Sequence, residues 1–474
     1  MKLKQLATFV ALATASASIQ AADVNVEPGV NTLQTAIDNA TEGDTLILST
    51  GVYSTTNTDD YFLIDKSLTI RAAAKDQAPQ LVDTITLVTD VVTDHLILQG
   101  LTFSGIESGF NIGAFNGSEP KGISNNIQLL ENTLAASANI NVAPNDGSNM
   151  SLTLIGNKQN CISDGNSNSL YLGGVYQNKG INKLVVAGNQ FCLSNGFLYI
   201  ESEGENSELH FVGNYILSQH PGTSSWGVIS SDDGFHTTNI ASNRIHQEFA
   251  SNTRTYEFIN SSEYRIFDLK NISGLPVVYQ NNIFTYDTSR ITGTSLPYRF
   301  SPIYNIDEAI IVNNVIDLAD IEIWQPVTAG DTNQPPMFDG VPTEVSGNLI
   351  LNYGDTIFTT EQKAFYKNNI CFNTLDDCGA EQGNLNSDPE INADYTLQVG
   401  SPAIDAGREN LAFSDLDGTR NDIGAYAGSW DISQFDAQRA IDAKGPYIYP
   451  LIDAAKSVAN GEVKVKFVSY PRLK

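Results

Sequence analysis

The strongest constraint on this chain's fold is a phrase that recurs along it: an apolar, β-prone run, then Asn, one variable residue, then another apolar side chain. It reads LLENTL around Asn132, LIGNKQ around Asn157, VAGNQF around Asn189, FVGNYI around Asn214 and IASNRI around Asn243. It continues as YQNNIF at Asn282, VNNVI at Asn314, VSGNLI at Asn348 and YKNNIC at Asn369. Successive asparagines lie 25, 32, 25, 29, 39, 32, 34 and 21 residues apart, the length of one solenoid coil with loops of varying size.

Each phrase supplies a strand whose alternate side chains point inward, and one such strand cannot bury its apolar face without neighbours stacked above and below it. An Asn at the same place in every coil suits a tight bend, because Asn tolerates left-handed backbone angles and its amide can bond the equivalent Asn one coil along. An antiparallel sandwich with Asn-rich turns would space its phrases about 8 to 12 residues apart. The expected fold is therefore all-β, a single-stranded right-handed parallel β-helix with an inner asparagine ladder.

Both ends fit a solenoid that must be closed. NTLQTAIDNATEGDTLILSTGVYS reads as an Asn or Thr cap, an amphipathic helix with Leu33 and Ala36–Ile37 on its apolar side, a turn and a first strand. That helix would cover the open first coil, which otherwise exposes sheet edge and core together. SPAIDAG at Ser401 to Gly407 and DLDGTRNDIGAYAG from Asp415 resemble closing coils of secreted β-helix proteins. Beyond Trp430, DISQFDAQRAIDAKG reads as a helix for the C-terminal end. The expected organisation is a signal segment over 1–21, the β-helix over 22–430 and a capping segment over 431–474.

Met1 to Ala21 carries two lysines, an apolar stretch through FVALATASA and a small-residue exit, the pattern of a cleaved secretory signal. The expected location is periplasmic or extracellular, without membrane insertion. Four cysteines suit that oxidising setting. Cys161 and Cys192 follow ladder asparagines by four and three residues, a spacing for a disulfide between adjacent coils, and Cys371 with Cys378 would close a small loop. A zinc site competes poorly, because no Cys-x-x-Cys or paired His is present.

With 26 basic and 54 acidic residues the formal charge is −28, which disfavours nucleic acid as a partner. Most carboxylates read as a solubilising surface. Against that background Arg244, His246, Arg254, Arg265, Lys270, Arg290 and Arg299 crowd one window, interleaved with Tyr256, Tyr264, Tyr279, Tyr286 and Tyr298. The window spans the longest ladder interval, where an extra loop should rise from the wall, and long loops on rigid scaffolds are where binding sites are built. Arginines fork onto carboxylates or sulfates, and tyrosines give sugar rings a flat platform. Ordinary surface pairing with Glu248, Glu257, Glu263 and Asp268 is the plainer account of the same cations.

EGDTLILSTGVY, the later LTIRAAA and DHLILQGLTFSG, behind an amphipathic N-terminal lid, resemble the first coils of polysaccharide lyase family 6, which includes alginate lyases and chondroitinase B. The resemblance implies a lyase acting on an acidic polysaccharide, with a Lys base and an Arg acid on neighbouring coils and Ca²⁺ held against the substrate carboxylate. SSEYRIFDLKNISG resembles the strand that carries the Lys, which would make Lys270 the base and Glu263 a metal ligand, with Asp233 of SSDDGFH a further ligand. Arg265 stands where a second ligand Glu is expected, and Arg290 and Arg299 are both candidate partners of the Lys. A calcium-independent variant would use Arg265 to neutralise the carboxylate, with Tyr264 or Tyr298 protonating the leaving oxygen. Arg244, His246, Arg254, Arg265 and Tyr298 are then the expected substrate contacts.

Two other functions fit the same scaffold. A glycoside hydrolase would need two carboxyls roughly 5 to 9.5 Å apart, for which Asp232–Asp233 with Glu263 or Asp268 are candidates. A non-catalytic adhesin would bind a glycan unchanged, with DLDG as a structural Ca²⁺ turn, although the other ligands of a calcium loop are missing and a plain tight turn is the simpler reading.

Overall fold

The structure, a computed structural model, describes residues 21–473 except 57–60, 89–90, 105–108, 114–122, 137–138, 144–149, 162–169, 173–180, 194–197, 201–206, 219–228, 231–234, 249–263, 270–275, 288–299, 305–307, 318–341, 354–356, 358–360, 375–376, 380, 410–413, 436, 438–444 and 453–464.

The recurring phrases stack as expected into a parallel β-helix. Among the described residues sheet A has 13 strands, from Asp23–Val26 to Tyr366–Lys367, and sheet B has 13, from Gly29–Val30 to Ile370–Phe372. Sheet C has nine among them, from Tyr61–Ile64 to Phe300–Tyr304. Each coil passes from a sheet A strand through a tight turn into sheet B, and most coils then add a strand to sheet C. The inward side chains fuse into one core, in which Phe267 meets Phe211 and Phe284 edge-to-face at 6.1 and 5.9 Å and Tyr279 at 5.5 Å.

The turn between sheets A and B holds the asparagine ladder. Asn243 illustrates it: its Nδ2 donates to Asn282 Oδ1 at 2.9 Å and to Phe211 O at 2.8 Å. Its own Oδ1 accepts from the backbone N–H and the Nδ2 of Asn214, both at 2.9 Å. The same pattern links Asn132 to Asn369, and Asn384 extends it beyond the repeated phrases. Every amide proton and both acceptor positions are used, so a buried amide carries no unmet polar atom.

The ladder asparagines do not themselves take the left-handed backbone angles expected of them. That conformation falls on the preceding residue: Gly156, Gly188, Gly213 and Gly347 at φ 61 to 67°, and Glu131, Ser242, Asn281, Asn313 and Asn368 at 52 to 57°. Separating the bend from the hydrogen bonding frees each Asn side chain to point inward.

The helix Thr32–Asn39 covers the N-terminal end, with Leu33 and Ile37 wholly buried and Ala36 only partly. Asn31 precedes it without capping it; its Oδ1 instead accepts from Thr56 N at 2.9 Å, tying the helix start to the end of the first coil. Both expected disulfides form, with Cα separations of 5.2 Å for Cys161–Cys192 and 5.6 Å for Cys371–Cys378.

The C-terminal phrases depart from the expected closing coils. After Asn384 the chain leaves the ladder and lies on the outer face of sheet B, where Ala403, Ile423 and Ala425 bury against Ile283, Val315, Leu349 and Ile370. Each of those four directly follows a ladder Asn and points outward. The equivalent positions of earlier coils, Lys158, Gln190, Tyr215 and Arg244, are polar or amphipathic. DLDG makes a tight turn, with Gly418 N–H donating to Asp415 O at 2.9 Å and Gly418 at φ 85°.

Beyond Trp430 only Ile432–Phe435 and Ala437 are described as helical, and they lie on the solenoid's flank. The described residues around and beyond this point lie back along the column of turns as a strap. Ala425 and Ala427 carbonyls accept from Asn281 Nδ2, and the Trp430 carbonyl accepts from Ser242 Oγ at 2.6 Å. Farther along, the Phe435 carbonyl presses on Gly213, the Tyr447 hydroxyl on Gly156 and Leu473 on Gly100. Trp430, Tyr447 and Tyr470 cover Leu130, Ile155, Ala187, Val212 and Ala241, an apolar row on the outside of sheet A that would otherwise meet water.

Candidate functional site

The cation-rich window occupies two successive coils. Arg244–Glu248 is a sheet B strand, Tyr264–Asp268 a sheet C strand, Val278–Gln280 lies in sheet A and Ile283–Asp287 in sheet B, and Phe300–Tyr304 returns to sheet C. Arg254, Lys270, Arg290, Tyr298, Arg299, Asp233 and Glu263 lie outside the described residues, as do Tyr256 and Glu257. Tyr264 and Arg265 are described by their backbone alone: Tyr264 pairs with Phe300 and Arg265 with Ser301.

Asp268 is level with Tyr304. Lys270 follows Leu269 in the chain, whereas the residues after Tyr304 are Asn305, Ile306, Asp307 and Glu308, with no arginine among them.

Arg244 and His246 are the two expected substrate contacts with described side chains, both on the outer face of sheet B and both partly exposed. Arg244 Nη2 donates to Tyr426 Oη at 2.8 Å, its guanidinium carbon lies 5.9 Å from that ring's centre, and the Tyr426 hydroxyl donates to Asp394 O at 2.8 Å. Burial raises the Tyr426 phenol, opposed by Arg244. The Asp394 carboxyl is held below its usual range, first by the Thr396 hydroxyl and N–H and also by Arg244.

His246 Nδ1 lies 2.7 Å from Thr285 Oγ1 on the next coil. One coil further along the same row, Asp317 accepts from Asn352 Nδ2 and the Tyr395 hydroxyl, both at 2.7 Å. Burial, then the Asp317 charge, raises Tyr395 well above the ordinary phenol. Among the described residues, no three His, Cys, Asp or Glu side chains converge as a metal site.

Composition missed Tyr426 as the partner of Arg244, because it lies 182 residues away in sequence. The ladder spacing does carry one usable signal: counting from each Asn aligns Arg244 with Tyr215, Gln190 and Lys158.

No protein-family profile matches the chain, and no curated protein does. A solved structure is similar to this chain. It is an arginine-to-alanine variant of the PL6 family alginate lyase AlyGC, 13% identical, with a TM-score of 0.43 over 87% of this chain. The match spans 58% of that protein's length. Among the described residues, no helix is long and apolar enough to cross a membrane.

Proposed function

We propose that this chain is an exported polysaccharide lyase that cleaves a uronate-containing polymer, alginate in the first instance, by β-elimination. The observation that carries the reading is the strand Tyr264–Asp268, held in sheet C between Ile229–Ser230 and Phe300–Tyr304 and continuing in sequence into Lys270. Its segment is the one that resembles the base-bearing strand of polysaccharide lyase family 6. A strand paired on both sides is a rigid mount for a proton-transfer group.

The proton at C5 of a uronate is too weak an acid to remove until the adjacent carboxylate is neutralised. In this reading Arg265 pairs with that carboxylate and Lys270 takes the proton. The C4–O4 bond then breaks as the C4–C5 double bond forms, and Tyr264 or Tyr298 protonates the departing oxygen, with Arg290 or Arg299 as the positively charged partner. Asp233 and Glu263 are the acidic groups available to Ca²⁺, which would supply the same neutralisation.

Near-ultraviolet absorbance during incubation with alginate, polygalacturonate and chondroitin, with Ca²⁺ or chelator and beside a reducing-end assay, tests the proposal. Absorbance rising with one polymer, and lost in Lys270→Ala, is the expected result. New reducing ends without absorbance would instead assign hydrolysis, and an active Lys270→Ala would remove the lysine from the mechanism.

A further inference from the structure

We infer that the outer face of sheet B between Thr133 and His246 is a second polymer-contacting surface, a track along which an extended acidic polysaccharide lies parallel to the solenoid axis. It is separate from the sheet C platform, and it rests on the reading of the substrate as a uronate polymer.

The charge distribution points to this face. The chain carries 54 acidic residues against 26 basic ones. Yet among the described side chains the two outward rows of sheet B, from Thr133 to Arg244 and from Cys192 to His246, hold Lys158, Arg244 and His246 and no carboxylate. Along the His246 row the next carboxylate is Asp317, already engaged by Asn352 and Tyr395.

Spacing and chemistry agree with that occupant. Lys158, Gln190, Tyr215 and Arg244 stand on four successive strands, each step about 4.8 Å along the axis. That rise is comparable with one residue of an extended 1,4-linked glycan. A point cation, an amide, a flat aromatic ring and a guanidinium follow one another, the groups that engage carboxylates, hydroxyls and sugar faces. Lys158 and Tyr215 are exposed.

The track has a defined end. Beyond Arg244 the same row turns to Ile283 and Val315, which the C-terminal cover buries. Tyr426 and Asp394 stand at that boundary, and the depressed Asp394 carboxyl keeps it negatively charged. An anionic polymer is therefore directed from Arg244 toward the N-terminal coils.

Affinity electrophoresis of the full mature chain in gels containing alginate, across a salt series, tests the track. A Lys270→Ala background keeps the polymer intact during the run. The pair Lys158→Glu with Gln190→Glu is compared with Lys75→Glu and Gln77→Glu, an equal charge change at exposed positions between sheets A and B. Expected is roughly tenfold weaker binding for the first pair at low salt, with a shallower salt dependence, and less than about a twofold change for the second. Equal weakening by both pairs, no change in either, or a parent that binds no acidic polymer would overturn the track. Thermal melts of all variants check that they fold. Because binding is read without cleavage, a chain that binds through Lys158 but yields no unsaturated product keeps the track and loses the lyase reading. A lyase indifferent to Lys158 does the reverse.

Discussion

Glu131 Oε2 accepts the backbone N–H of Leu473 at 2.9 Å, joining the turn between sheets A and B of an early coil to a residue 342 positions later. Gln99 Nε2 donates to the same oxygen at 3.1 Å, and Arg472 Nη1 lies 3.8 Å from Oε1, with its guanidinium over the Tyr447 ring. Glu131 adopts φ 55° at a turn position that Gly fills in several other coils. A non-glycine residue in that conformation costs about 1–2 kcal/mol, and the anchored strap offsets it.

Glu131→Ala leaves Arg472 buried without its carboxylate. The expected loss is about 3 kcal/mol in urea unfolding, accompanied by faster amide exchange along Val465–Tyr470. Unchanged exchange there would show that the strap is held by its apolar contacts alone.

The ladder makes a sharper chemical prediction. Asn243→Ala removes two donors and one shared acceptor from a buried site, and a loss of roughly 2–4 kcal/mol is expected. Asn243→Asp keeps the acceptor but turns a carboxylate toward Asn282 Oδ1 and Phe211 O, both of which need donors. At neutral pH Asn243→Asp should be the less stable of the two; the opposite order, read from denaturant midpoints, contradicts the donor account.

Two glycines separate backbone strain from contact. Gly213 and Gly418 both have positive φ, 63° and 85°. A Cβ on Gly213 would overlap the Phe435 carbonyl, whereas one on Gly418 would meet nothing within 4 Å. Gly418→Ala is expected to cost only the backbone term, about 1–2 kcal/mol. Gly213→Ala should cost more and free the strap around Phe435; equal losses would place the whole effect in the backbone.

Burial raises Asp422 to about 6, with Asp415, Asp405 and Asp417 adding to it and the Asp405 N–H opposing. The folded chain holds this proton more tightly than the unfolded chain, so the contribution is complete below the ordinary Asp value and is lost as pH rises through about 6. Because the side chain is half-exposed, the effect is discounted to about 1–2 kcal/mol. Asp422→Asn retains an acceptor for Asp405 N and should melt higher than the parent at pH 8, with the advantage gone below about pH 4. A constant difference across that range would assign the gain to something other than titration.

The site was less legible than the coils. Arg244 and His246 were visible as cations in a crowded window, but their partners were not: Tyr426 and Thr285 reach them only because parallel register and the returning C-terminal segment bring them there. The left-handed residue before each Asn was hidden for a related reason. Gly, Ser, Asn and Glu all fill that place, so no single residue type marks it.

By itself the sequence determined the solenoid, its Asn ladder, the N-terminal helix and both disulfides. Each depends on a pattern repeated within one coil or between adjacent coils, where alternation and spacing decide what is buried. Only the tertiary structure decided the course of the chain after Asn384. The change from Lys158, Gln190, Tyr215 and Arg244 to Ile283, Val315, Leu349 and Ile370 is written in the chain. Its meaning, an outer wall open in the earlier coils and covered in the later ones, appears only when strands are in register and a distant segment arrives to bury the apolar rows. Burial between segments hundreds of residues apart is set by which surfaces meet, and no local period encodes that.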